Sequence, residues 1–194
     1  MKRICVYCGS NVGSRAAYAD AARELGRVIA DAGLGLVYGA GNVGLMHVVA
    51  EAALRAGGEV IGLIPRSLAD KELAHEDLTE LIVVESMHER KQGMADRSDG
   101  FIALPGGIGT LEEVVEVFTW LQLEFHSKPI GLLNVAGFYD RLLEFLEHMS
   151  AEGFLLRAQV DMLLVDDDPG RLLDRMRRFK PIRQEKWIDR RRFT

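Results

Sequence analysis

The sequence predicts an α/β fold: a doubly wound, mostly parallel sheet with helices on both faces. Three observations predict it. Short apolar runs alternate with helical stretches of three to five turns, the pattern of repeated βαβ units. The runs are apolar throughout, as strands covered on both faces must be. Three glycine-rich turns, at 9–13, 39–44 and 106–109, each follow such a run. They therefore lie at the strand carboxyl ends, where open sheets of this kind place their sites.

Each element has its own local signal. Residues 3–7 are mostly apolar and read as the first strand, and Gly9, Ser10, Asn11 and Gly13 make the turn after it. Arg15 to Ala32 repeats Ala, Leu and Ile at helical spacing and ends at Gly33. Leu34 to Tyr38 is a second strand, followed by Gly-Ala-Gly-Asn-Val-Gly. Leu45 to Ala56 is helical and ends at Gly57 and Gly58. Val60 to Ile64 is a third strand, stopped by Pro65. Residues 66–79 are polar, a short helix or a lid. Leu81 to Val84 is a fourth strand and Met87 to Arg97 a helix. Phe101 to Leu104 is the fifth strand, Thr110 to Glu124 a helix, and Pro129 to Leu133 the sixth strand. Phe138 to Glu152 is helical. Val160 to Val165 reads as a last strand, and Pro169 to Phe179 as a final helix with proline in its first turn. With no linker and no internal repeat, residues 1–180 are expected to form one Rossmann-like nucleotide-binding domain, and 181–194 a basic tail.

Composition narrows the function. Hydrophobic residues make up 48% and charged residues 27% of the 194, ordinary values for a globular domain with a real core. The formal net charge of -5 argues against nucleic acid as a partner. The exception is the tail, where Arg183, Lys186, Arg190, Arg191 and Arg192 run the other way. Such an end solubilises the chain or packs on a partner subunit more often than it touches nucleic acid or membrane. No stretch is long and apolar enough to span a bilayer, and the first ten residues read as a strand rather than a signal peptide. A cytoplasmic setting is expected, with no membrane partner. Cys5 and Cys8 are the only cysteines. Without further Cys or paired His to complete a metal site, they read as buried free thiols. The five histidines form no paired ligand motif, so no metal is expected.

Ile102 to Glu113, IALPGGIGTLEE, carries the most chemistry. Glycines packed between a buried strand and a helix build an anion pocket from backbone N–H groups. Glu113 brings a carboxylate beside it. A bland reading competes, since Thr110-Leu-Glu-Glu113 also spells a capping box. Arg90 and Lys91 lie near the start of the helix before this strand, where the helix dipole does not favour cations. They ask for an anion, whether phosphate or Glu113 itself, or are solvated residues on a helix face. A guanidinium can orient a carboxylate through two hydrogen bonds. The Gly39, Gly41, Gly44 loop matches G-x-G-x-x-G, but the next strand ends without the acid a dinucleotide requires. With Gly9 and Ser10 it is a candidate nucleotide-contacting loop, or a tight turn with nothing bound. There is no Walker lysine and no serine-nucleophile elbow.

Met-His-Glu-Arg-Lys at 87–91, PGGIGTLEE at 105–113 and Thr119-Trp120 together resemble the LOG family, the cytokinin riboside 5'-monophosphate phosphoribohydrolases, whose older label is "lysine decarboxylase-like". The resemblance runs over nearly the whole chain, through VYCGSNVG, YGAGNVGLM, the IPRSL region and LLNVAGFYDRLLEFL. It implies hydrolysis of the N-glycosidic bond of a nucleoside 5'-monophosphate, without cofactor, to release the base and ribose 5-phosphate. It implies that Arg90 and Glu113 are catalytic. It places Gly106, Gly107, Ile108, Gly109, Thr110, Leu111 and Glu112 against the substrate, with Lys91, Thr119 and, on a looser alignment, Glu72. It implies a homodimer, for which Trp120, Leu121, Leu123 and Phe125 supply apolar surface. His47 stands where the family usually has a small residue. The alternatives are an AMP nucleosidase releasing mainly adenine and a nucleotide-binding protein without catalysis. The 66–79 segment, with Leu68 and Leu73 and no aromatic residue, is expected to wall the base and to favour an N6-isopentenyl tail. Pyridoxal phosphate chemistry has no support, since only Lys91 lies near the site and no ring-nitrogen partner is evident.

Overall fold

In the computed structural model, residues 1–72 and 77–182 are described, those at 70–72 as backbone alone. The side chain of Glu72, all of Leu73 and the tail from 183 onward lie outside the described residues. Seven strands form one sheet in the order β4-β3-β2-β1-β5-β6-β7. They are β1 Arg3–Tyr7, β2 Gly35–Tyr38, β3 Val60–Pro65, β4 Glu80–Val84, β5 Gly100–Ala103, β6 Ile130–Leu133 and β7 Leu163–Asp166. Every neighbouring pair is parallel. The chain winds outward from β1 to β4, crosses back to β5, and winds outward again. The register puts Ile4 beside Leu36 on one side and Val6 beside Ile102 on the other.

Helices cover both faces, as wholly apolar strands require. On one side α1 (Ala16–Asp31), α2 (Gly44–Arg55) and α8 (Pro169–Arg178) pack Leu25, Ile29, Leu45, Val49 and Leu172 against Ile4, Leu36 and Ile102. On the other, α4 (Met87–Asp96), α5 (Ile108–Gln122), α6 (Asp140–Ala151) and α7 (Arg157–Val160) enclose Val37, Leu63, Phe101 and Leu132 with Met94, Val117 and Leu146. α1 and α2 touch closely at Gly26, where an added Cβ would lie 2.3 Å from the Val49 carbonyl oxygen. Cys5 and Cys8 are buried free thiols, one in each core. No described helix is long and apolar enough to cross a membrane.

Several boundaries differ from expectation, each for a local reason. Residues 66–72 open the ambiguous segment as helix α3, Arg66–Glu72. The last strand begins at Leu163 because Arg157–Val160 turn as a short helix, closed by the Gln159 side chain accepting from the Leu156 N–H at 3.1 Å. The helix expected from Phe138 starts at Asp140, because Ala136 and Gly137 at φ 52° and 72° form a tight turn first.

The candidate active site

The three glycine turns meet at the carboxyl ends of β1, β2 and β5. The Gly9 N–H donates to the Pro105 carbonyl at 3.1 Å, and the Leu45 N–H donates to the Gly9 carbonyl at 3.0 Å. An added Cβ at Gly44, whose φ is 59°, would lie 2.2 Å from the Ser10 carbonyl carbon. The loops therefore interlock through backbone, and Gly9, Ser10, Gly106 and Gly107 line an open cleft of ≈ 280 Å³ with Tyr18 and Phe138. His47 closes the second loop, its Nδ1 2.7 Å from the Asn42 Oδ1.

α5 starts three residues earlier than the capping-box reading requires. Gly107 is its N-cap and no side chain caps it. Thr110 is thus already inside the first turn, and its side chain turns back onto Gly106, where an added Cβ would lie 2.1 Å from Oγ1. The capping-box reading of Thr110 and Glu113 is corrected: the three-residue spacing is present, but the glycines let the helix begin at Ile108. A related device sits on α4 instead, unnoticed in the sequence. Ser86 caps that helix by accepting from the Glu89 N–H at 3.1 Å, and the Glu89 carboxylate accepts from the Glu85 N–H at 3.0 Å. Ser-Met-His-Glu at 86–89 was the signal that could have revealed it. The first N–H groups of α5 are left without a side-chain acceptor, and around Gly107 and Gly109 an added Cβ would meet nothing within 4 Å. Uncapped N–H groups at a helix start favour an anion.

Glu113 lies one turn further in, its side chain only 13% exposed. It feels the charges of Arg90 and Lys91 on α4 and of Glu112 and Glu116 on its own helix, and its own charge bears on Cys5, Tyr7 and Cys8 in and just after β1. Burial pushes its pKa up to about 7, against the pull of Arg90. Desolvation thus outweighs one cation at this distance. The expected fork, two hydrogen bonds from the guanidinium to the carboxylate, is corrected. Arg90 Nε donates to the Leu63 carbonyl at 3.1 Å and Nη2 to the Gly39 carbonyl at 2.8 Å. Only Nη1 is left toward Glu113, at 4.0 Å from Oε1.

Lys91 points to the neighbouring side. Its ammonium donates to Glu112 at 2.5 Å and to Glu116 at 3.0 Å. Burial opposes its charge, but these two carboxylates outweigh burial and raise its pKa. Glu116 was missed in the sequence, though it stands four residues after Glu112 and shares its helix face. Thr119 is not gathered with Arg90 and Glu113. It sits about 9 Å further along α5, at 1.5 Å rise per residue, and donates to the Val115 carbonyl. Among the described residues, no group of three or more His, Cys, Asp or Glu is placed to hold a metal ion.

The arrangement resembles known proteins at two levels. A family model described as "Possible lysine decarboxylase" matches residues 46–176. A protein of Arabidopsis thaliana named cytokinin riboside 5'-monophosphate phosphoribohydrolase LOG5 is 48% identical over 181 residues, covering 93% of this chain and 79% of that one. Another from the same plant, LOG1, is 51% identical over 154 residues, 79% of this chain and 72% of that one. Among solved structures, a molybdenum cofactor carrier protein of Chlamydomonas reinhardtii has a TM-score of 0.68 at 23% identity, over 91% of this chain and 96% of that one. At that identity the likeness is one of fold alone.

Proposed function

Because the chain belongs to the LOG family of cytokinin riboside 5'-monophosphate phosphoribohydrolases, we propose that Arg90 and Glu113 are the pair with which it performs that family's hydrolysis. The chain cleaves the N-glycosidic bond of adenosine 5'-monophosphates, N6-modified ones included, and releases the free base and ribose 5-phosphate. The observation that carries the assignment of residues is the buried Glu113, 4.0 Å from Arg90, one turn inside a helix with an uncapped start.

The chemistry follows from where charge develops. As the base departs, positive charge builds on C1' and O4' of the ribose. The Glu113 carboxylate stabilises that oxocarbenium-like state and takes a proton from the attacking water. Water's oxygen bonds to C1', the C1'–N bond breaks, the base takes up one proton from solvent, and Glu113 returns to solvent the one it took from water. Glu113, with its pKa near neutrality, gives up its proton without a large cost. The 5'-phosphate is held by the backbone from Gly106 to Leu111 and by the Gly9-Ser10 turn, which fixes the sugar from a distance. Gly41 and Gly44 shape the facing loop. Lys91, Glu112 and Thr119 are further substrate-contacting positions, Lys91 by exchanging one of its carboxylate partners for the substrate. Glu72 is the remaining substrate-contacting position.

Two finer statements belong to the same reading. Leu68, half-buried, gives the base pocket an apolar side, so isopentenyladenosine monophosphate is the better substrate, at about 0.8 kcal/mol per CH₂ buried. The protein is a cytoplasmic homodimer. Two free buried thiols suit a reducing compartment, and Leu123 and Phe125 are 41% and 73% exposed at the end of α5. Incubating AMP and isopentenyladenosine monophosphate with the protein, then separating the bases by chromatography, tests both activity and preference. Base released from neither refutes the assignment, and an equal or higher kcat/KM for AMP refutes the preference.

A further inference from the structure

We infer that Gly39 is a positioning residue, whose bare Cα and carbonyl together seat the Arg90 guanidinium so that a single nitrogen faces Glu113. The functional consequence of the seat rests on the reading above, and its geometry does not. The guanidinium lies directly against Gly39. An added Cβ there would stand 1.8 Å from Nη2, 2.8 Å from Cζ and 3.3 Å from Nε. Moving the guanidinium away from such a Cβ would disrupt the hydrogen bonds from Nη2 to the Gly39 carbonyl and from Nε to the Leu63 carbonyl. The three nitrogens are thereby divided. Two are spent on carbonyls at the ends of β2 and β3, and Nη1 alone remains near Glu113, with the Met87 sulfur 3.9 Å away on its other side.

The polarity of the loop supports the same role. A phosphate-binding turn aims N–H groups into its site. Here the Gly39 carbonyl points inward, toward a cation. Ala40, at φ 60°, bends the chain immediately afterward. Gly62 makes room for it, since an added Cβ there would lie 2.7 Å from the Ala40 Cβ. A left-handed alanine in a fully buried position is uncommon. The glycine pattern at 39–44 thus reads at its first position as a cation seat, built by β2 and β3 for a side chain of α4.

Gly39→Ala tests this in two backgrounds. In the native background the melting temperature should fall by about 5 °C or more, the scale of an overpacked site in a protein of this length. In an Arg90→Ala background, where no guanidinium occupies the seat, the same change should cost about 1 °C or less. This comparison needs no turnover, so it stands or falls apart from the enzymatic reading. If Gly39→Ala alone fails to fold, recovery of folding on adding Arg90→Ala supports the seat. An equal loss in both backgrounds, or failure to fold in both, overturns it. Where the single variant folds and the native protein hydrolyses its substrate, kcat should fall about 10-fold with KM changed less than about 3-fold. The alkaline-rising limb of the pH profile should also move to higher pH, because Arg90 no longer favours the Glu113 carboxylate. A loss with an unmoved limb would mean that Gly39 acts on the fold alone.

Discussion

Glu113 is placed under opposing demands. Its surroundings favour the neutral acid, with a pKa of about 7, while the proposed chemistry uses the carboxylate. In the unfolded chain the group ionises near 4.5, but in the fold it keeps its proton to about 7. The native state thus holds more protons than the unfolded state across that window, and stability declines as pH rises through it. The displacement corresponds to about 3 kcal/mol at about 1.4 kcal/mol per pKa unit. Glu113→Gln should therefore melt higher than the native protein at pH 8, with the gap closing toward pH 4.5, as differential scanning calorimetry would reveal. The same variant should lose about 10²-fold or more in kcat, the scale of a missing acid–base or electrostatic group. Unchanged turnover would remove Glu113 from the chemistry. The pairing of Arg90 with Glu113 was legible in the motifs. The state of the pair was not, since it depends on burial by β1 and α4 and on two carbonyls 51 and 27 residues from Arg90.

Helix starts decide more here than helix interiors. Thr-x-x-Glu and Ser-x-x-Glu have the same spacing, yet only the second caps a helix. Sequence spacing fixes the distance between two side chains but not which residue leaves the helical path, and Gly106-Gly107 allowed that to happen early. The doubly wound order was legible because wholly apolar strands and glycine turns recur on schedule. The short α7 was not, because four residues carry no period. The uncapped start of α5 is where the proposed function puts the 5'-phosphate. AMP should thus be preferred over adenosine by about 10²-fold or more in kcat/KM, the worth of two charge-assisted hydrogen bonds. Equal efficiency with the free nucleoside would leave that helix start without a role. A different pair of helices limits stability. At Gly26 a methyl group would gain about 1 kcal/mol of helix propensity, but it would stand 2.3 Å from the Val49 carbonyl oxygen. Overpacking costs about 1–3 kcal/mol and wins. Gly26→Ala should lower the melting temperature by about 3 °C or more, and a rise would show that α1 and α2 can part freely.

For the whole molecule, exposed apolar side chains are spread along the chain from Val12 to Ile182, and Leu123 and Phe125 just beyond α5 are two of them. Of the four residues expected at a subunit boundary, Leu121 is in the protein's own core and Trp120 is half-buried. Leu123 and Phe125 remain to meet a partner. Sedimentation equilibrium should give twice 21.6 kDa for the native protein, and the single mass for Leu123→Asp combined with Phe125→Asp. A native protein sedimenting at the single mass would count against the dimer.

The crossing from β4 back to β5 has a consequence for folding. Its helix, α4, is the only descent from the outer edge of the first half-sheet to the first strand of the second. Arg90 rides on it and is anchored at β2 and β3, whereas Glu113 follows β5. Neither half of the chain owns the pair. Contacts of such long sequence separation form late, after the loop-closure entropy has been met. Catalytic competence should then arrive with the docking of the halves and vanish with it. In urea, the loss of turnover and the loss of far-ultraviolet helical signal should trace one curve. An earlier loss of turnover would mean that the halves separate while each remains folded.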